Sequence, residues 1–139
     1  MVDNIKIHTK IQSMKLSLKR LSDLSRIPEN TFLENFIYFD SAKYNLITAI
    51  EAVIDICNHI ISRKSFEIPA TSADSIKILV KNKVLSAEYQ DKFVSMVKFR
   101  NKAVHLYLEI RNEEVYEILQ QHLRDFEVFI KAILQYIER

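Results

Sequence analysis

The chain contains no glycine in 139 residues, and its only prolines are Pro28 and Pro69. Tight hairpin turns need backbone at positive φ, which glycine, or Asn-Gly and Asp-Gly pairs, supply at little steric cost. A β-rich fold is therefore disfavoured. Helices joined by short Asn-, Ser- and Pro-containing connections are expected instead. This length suits one domain over residues 1–139, enough to bury a substantial core but too short for two.

Apolar spacing reads as helix along nearly the whole chain. Ile7, Ile11, Met14, Leu18 and Leu21 form one stripe, and that helix is predicted to end near Ser25, ahead of Pro28. Asn30 or Thr31 then caps a long second helix to about Ser62, with a core stripe of Leu46, Ile50, Val53, Cys57 and Ile60. Periodicity lapses from Arg63 to Ser72, the longest expected loop. Ser72 is the predicted cap of a third helix to Lys81, with Asn82 as a left-handed stop. A fourth helix runs from a Ser86 cap to about Tyr107, and a fifth from Asn112 to the C-terminus. The expected fold class is all-α, a single bundle of about five helices.

The formal net charge of +2 announces no strong basic field, although charge gathered on one side of a dimer can still follow a phosphate backbone. The single cysteine, Cys57, allows neither an intrachain disulfide nor a cysteine-based zinc cluster. The first ten residues lack a signal-peptide core, and no run approaches the ~18 apolar residues of a membrane span. A soluble, cytoplasmic protein without membrane association is expected.

The fourth helix carries an anomaly. Phe93, Val97, Arg100, Val104 and Tyr107 follow the spacing that elsewhere marks a buried stripe, which sets Arg100 amid apolar neighbours. A guanidinium cannot shed its charge, so its burial demands either a carboxylate or a polar cleft whose ligand brings the anion. Asn101 and His105 lie four apart, on one edge of the helix beside Arg100.

The run Arg100-Asn101-Lys102-Ala103-Val104-His105-Leu106-Tyr107 resembles the Arg-x4-His-x-Tyr signature of HepT-like toxins in the HEPN superfamily. Ala49 to His59 is similar to that family's second helix, Ile68-Pro69 falls in its loop, and Val115 to Leu119 matches its closing helix. The resemblance implies a metal-independent endoribonuclease that acts as a homodimer, with no cofactor and with the motifs facing across a cleft. RNA is the implied substrate, with tRNA as a candidate. Arg100 and His105 would be catalytic and Asn101 supporting. Tyr107 would be the position at which an MNT-type nucleotidyltransferase antitoxin attaches AMP.

These residue types suit that chemistry. When a 2′-hydroxyl attacks the adjoining phosphate, one proton must leave, another must arrive, and the phosphorane gains negative charge. An imidazole titrates near neutrality, and a guanidinium fork binds phosphate with two hydrogen bonds. Residues five apart on a regular helix nevertheless point about 140° from each other. The pair must straddle the helix edge, the helix must distort near His105, or the pocket must be completed in trans.

Glu51, Asp55 and His59 recur every four residues as a polar line, expected to line the cleft or pair with Arg100 rather than to bind metal. His122, Phe126 and Phe129 read as structural, and His8, Lys98 and Lys102 as solvated. The competing functional reading is a non-catalytic substrate- or nucleotide-binding partner of a nucleotidyltransferase.

Overall fold

The computed structural model describes residues 2–139. Among them are seven α-helices and no strand: α1 (Asn4–Ser25), α2 (Glu29–Glu34), α3 (Phe36–Arg63), α4 (Ser72–Lys81), α5 (Gln90–His105), α6 (Asn112–Gln121) and α7 (Leu123–Ile137). The all-helical bundle follows the periodicity, but two of the five expected helices are each divided in two.

The second predicted helix breaks at Asn35, which is extended at φ −127° and ψ 112° and caps α3 by accepting from the Ile37 amide through its side chain. A short amide side chain competes for nearby backbone N–H groups, so asparagine ends one helix and starts another without glycine or proline. Neither Asn30 nor Thr31 is the cap, because α2 already begins at Glu29, directly after Pro28. The last predicted helix divides at His122, whose φ of −122° interrupts the α-helical backbone between α6 and α7.

Helix ends also differ in detail. Thr71, not Ser72, caps α4, forming a reciprocal capping box with Asp74. Asn82 keeps a negative φ and donates its side-chain amide to the Ile78 carbonyl, while Lys83 takes the left-handed position at φ 62°. Ser86 caps a 3-10 turn, Ala87–Tyr89, that leads into α5.

Helix α3 is the axis of the domain, 28 residues or about 42 Å long. By length and composition it could cross a membrane, but most of that stretch is buried inside the bundle. Its predicted stripe is buried throughout, and α1 packs along it more extensively than any other element. Cys57 belongs to this interior, and burial pushes its thiol pKa far up, so it is a packing residue rather than a nucleophile. Phe93, Phe126 and Phe129 are fully buried as well, with Phe93 edge-on to Phe129 at 5.6 Å between centroids. Each such side chain contributes roughly 1.5–3 kcal/mol through burial, which holds α5 and α7 together.

Candidate active site

Helix α5 enters the core at its start and leaves it at its end. Phe93, Met96, Val97, Phe99 and Ala103 are buried, whereas Val104 is exposed, as are Leu106, Tyr107 and Leu108 just beyond the helix. Arg100 therefore stands where the buried stripe runs out into solvent, not in the middle of an apolar face. Its side chain keeps 25% of its exposure.

The guanidinium has two partners. Nη2 donates to Glu51 Oε2 on α3 at 3.0 Å, and Nη1 donates to Asn101 Oδ1 at 3.1 Å. Its Nε is buried and has no partner. A buried donor left unpaired is costly, and an anion reaching this edge would satisfy it. Glu51 is 45% exposed, so the ion pair can be opened by a competing phosphate without stranding a buried carboxylate.

The polar line on α3 does not act as one group. Glu51 meets Arg100, but Asp55 pairs with Lys10 of α1 at 3.0 Å. His59 is buried and its Nε2 accepts the Asp3 amide at 3.0 Å. Desolvation, followed by the nearby charges of Lys6 and Arg63, pushes the His59 pKa down, in keeping with a neutral, accepting ring. Asp55 and His59 line a different depression, far along α3 from Tyr107. Among the described residues no group of three or more His, Cys, Asp or Glu side chains is placed to hold a metal ion.

His105 is the last residue of α5, and its side chain is exposed. The helix stays regular through it, so the wide angle between the directions of Arg100 and His105 persists within one protomer. The break comes one residue later, at Leu106 (φ −133°, ψ 47°), followed by a 3-10 turn at Tyr107–Glu109. Tyr107 therefore lies beyond the fourth helix instead of ending its buried stripe.

What holds this turn is a pair of α3 residues that sequence reasoning missed. The Tyr107 hydroxyl donates to Asp40 Oδ1 at 2.8 Å. Lys43 is buried, with Nζ 4.8 Å from the Tyr107 ring centroid and 5.4 Å from that of Phe39. The cation thus sits against two aromatic faces, an arrangement worth roughly 0.5–2 kcal/mol. Only the spacing of Asp40 and Lys43 on one helix face was available as a signal, and nothing local ties them to a tyrosine 67 residues away.

Partial burial and then the hydrogen bond to the Asp40 carboxylate push the Tyr107 pKa from 10.0 up to about 12. The phenol is thus protonated throughout the physiological range, with its hydrogen aimed at Asp40. Asp40→Asn is expected to bring this pKa down but not fully to the ordinary value, because burial remains. Ultraviolet titration, read as the difference from Tyr107→Phe, checks this, and an unchanged late-titrating phenol would contradict it.

His122 is not a core residue. Its ring is half exposed at the α6–α7 junction, with Nδ1 3.3 Å from Asp125 Oδ2. His8, Lys98 and Lys102 are exposed, and Phe126 and Phe129 are core.

Comparison with known proteins agrees with this architecture. A family model described as ribonuclease HepT-like matches residues 14–133. Over 127 residues the chain is 37% identical to the mRNA nuclease HepT of Shewanella oneidensis, covering 91% of this chain and 95% of that protein. Its structure is similar to that of the tri-AMPylated HEPN toxin of Shewanella oneidensis in complex with MNT antitoxin. That match has a TM-score of 0.87 at 36% identity and covers 97% and 99% of the two chains. YutE of Bacillus subtilis, described as a cytosolic protein of unknown function, shares the fold at TM-score 0.85 and 23% identity, covering 99% of this chain and 92% of that one. The chain belongs to the HepT-like ribonuclease family of the HEPN superfamily.

Proposed function

We propose that this protein is the endoribonuclease toxin of a toxin–antitoxin module, with Arg100 and His105 as its catalytic residues and Asn101 in support. The observation that carries the reading is the Arg100 guanidinium at the edge of the core, with its Nε unpaired, five residues before an exposed histidine at the end of the same helix. Kinship with the Shewanella oneidensis mRNA nuclease supports RNA as the substrate.

In the proposed reaction the 2′-oxygen bonds to the adjacent phosphorus as one imidazole takes its proton. The bond from phosphorus to the 5′-oxygen breaks as a second imidazole returns a proton to the leaving oxygen. The products are a 2′,3′-cyclic phosphate and a 5′-hydroxyl. Arg100 stabilises the phosphorane, exchanging Glu51 for a phosphate oxygen, while Asn101 holds the other arm of the fork. No role in this scheme calls for a metal ion.

Two imidazoles require two protomers, because each chain places one histidine at this site. The surface around it suits a homodimer. Val104, Leu106 and Leu108 are exposed there, Leu108 at 95%, and the nearby first turns of α3 add exposed Phe36, Ile37 and Tyr44. Exposed apolar side chains gathered around one site support the reading of this face as an interface.

Silencing would come from a nucleotidyltransferase antitoxin, as the complex of the Shewanella oneidensis toxin suggests. Tyr107 is the acceptor in this reading. Its oxygen attacks the α-phosphorus of ATP, pyrophosphate leaves, and the phenolic proton is released toward Asp40. The attached phosphates would then compete with substrate for Arg100.

The test is incubation of the purified protein, shown by mass to be unmodified, with RNA including a tRNA pool, with and without a chelator. Chelator-resistant cleavage leaving cyclic phosphate ends is the expected result. Absence of cleavage by protein with a free Tyr107 would favour the non-catalytic partner subunit instead.

A further inference from the structure

Beyond the motif, α3 presents one continuous polar stripe to solvent. Thr48, Glu51, Asp55, Asn58 and Ser62 recur in steps of three and four and are all exposed or half-buried. Glu51 ties this stripe to Arg100 of α5, and Asp55 ties it to Lys10 of α1, so both helices border the same face. At the C-terminal end of the stripe lies an open depression of about 840 Å³ lined by Lys6, Lys10, Asp55, Asn58, His59, Ser62 and Arg63.

Its charge is unbalanced. Three cations face one lining carboxylate, Asp55, which Lys10 already engages. Asp3, at the neighbouring helix start, caps α1 by accepting the Lys6 amide and lies outside the lining, so even with its charge counted the cations are in excess. Among the described residues neither Lys6 nor Arg63 takes part in an ion pair. His59 adds no charge, since its ring accepts the Asp3 amide in the neutral form. A lining made up of charged and polar residues suits a charged, hydrated ligand better than a protein's apolar face.

We propose that this depression is a phosphate-binding track, in which Lys6 and Arg63 hold the backbone of the RNA to one side of the bond cut at Arg100. Twelve residues separate Glu51 from Arg63, about 18 Å along α3. A single strand places one phosphate per roughly 3.4 Å when stacked and fewer when extended, so the span takes up to about five. Lys6 and Arg63 engage charge and not sequence, so they set affinity and register while Arg100 and His105 perform the chemistry.

This inference rests on the ribonuclease reading, and the test separates the two. Binding of a fluorescent single-stranded RNA is measured by anisotropy over a range of salt, using non-cleaving His105→Ala protein with and without Lys6→Ala and Arg63→Ala. Each lost phosphate contact lowers the slope of log affinity against log salt by about 0.7, so the double change should flatten it by about 1.4. Affinity at moderate salt should fall by about tenfold. With His105 intact, the double variant should lose a similar factor on long RNA through KM and leave cleavage of a dinucleotide, too short to reach the track, unchanged.

An unaltered salt slope, or equal losses on long RNA and dinucleotide, would overturn the track. So would unchanged RNA affinity accompanied by weaker binding of the antitoxin. Salt-dependent binding that needs Lys6 and Arg63, without any cleavage by the wild type, would uphold the track and overturn the catalytic reading alone. Both residues are exposed, so the variants should fold, and melting curves matching that of the parent protein are the control.

Discussion

Replacing His105 with alanine is expected to reduce RNA cleavage by roughly 100- to 10,000-fold, the range that a positioned proton-transfer group contributes. The melting temperature should not move. His105 is exposed at the end of α5, outside the core, and alanine is the better helix former. A loss of activity with an unchanged melting curve therefore reports chemistry, not folding. If the two imidazoles of a dimer divide the acid and base roles, a protomer lacking His105 disables its wild-type mate. Activity of mixed dimers should then fall with the square of the wild-type fraction. A linear fall would show that each protomer cleaves alone, and the angular argument from α5 would have to be abandoned.

Replacing Arg100 with alanine should cost about 100- to 1,000-fold, comparable to removing one donor that stabilises a developing oxyanion. Lysine should restore only part of this, because a point charge lacks the two-pronged geometry of guanidinium. The cost in stability should be small, about 1 kcal/mol or less. Glu51 is half exposed and can return to water, so the pair is worth little more than a surface ion pair. Alanine also removes the unsatisfied Nε. Initial rates on RNA together with thermal unfolding check both halves. A collapse of stability would instead identify Arg100–Glu51 as a structural bridge whose effect on cleavage is indirect.

Much of the fold was legible in the sequence, in physically distinct degrees. The apolar stripes of α1 and α3 needed only the helical period, and the structure buries them nearly as read. Helix interruptions were less visible. Asn35 and His122 divide helices that the apolar pattern carries straight through, because periodicity records which face is buried and is almost blind to a single residue leaving the helix. The end of α5 failed for a related reason. The stripe continues to Val104 and Tyr107 in spacing, yet Val104 is left uncovered, and the chain turns out of the helix where Tyr107 can reach Asp40 of α3.

At the candidate site the division is sharper. Its residue types were readable from eight consecutive positions, Arg100 to Tyr107, since their order is a local property. Their partners were not. Glu51 meets Arg100 from 49 positions away and Asp40 meets Tyr107 from 67 away, while Lys43 enters only because α3 passes beneath the turn. The line of Glu51, Asp55 and His59 is uniform in sequence, but α5 borders it at one end and α1 at the other, so its members have unlike partners.

The sequence by itself determined the helical class, because a chain without glycine and with continuous apolar stripes has few other ways to bury them. It also determined which segment carries Arg100, His105 and Tyr107. Tertiary structure alone decided what each of those side chains faces. Local periodicity specifies which way a residue points from its own helix axis. Whether it finds a carboxylate, an aromatic ring or open solvent depends on where the other helices pack, and that is a property of the whole bundle.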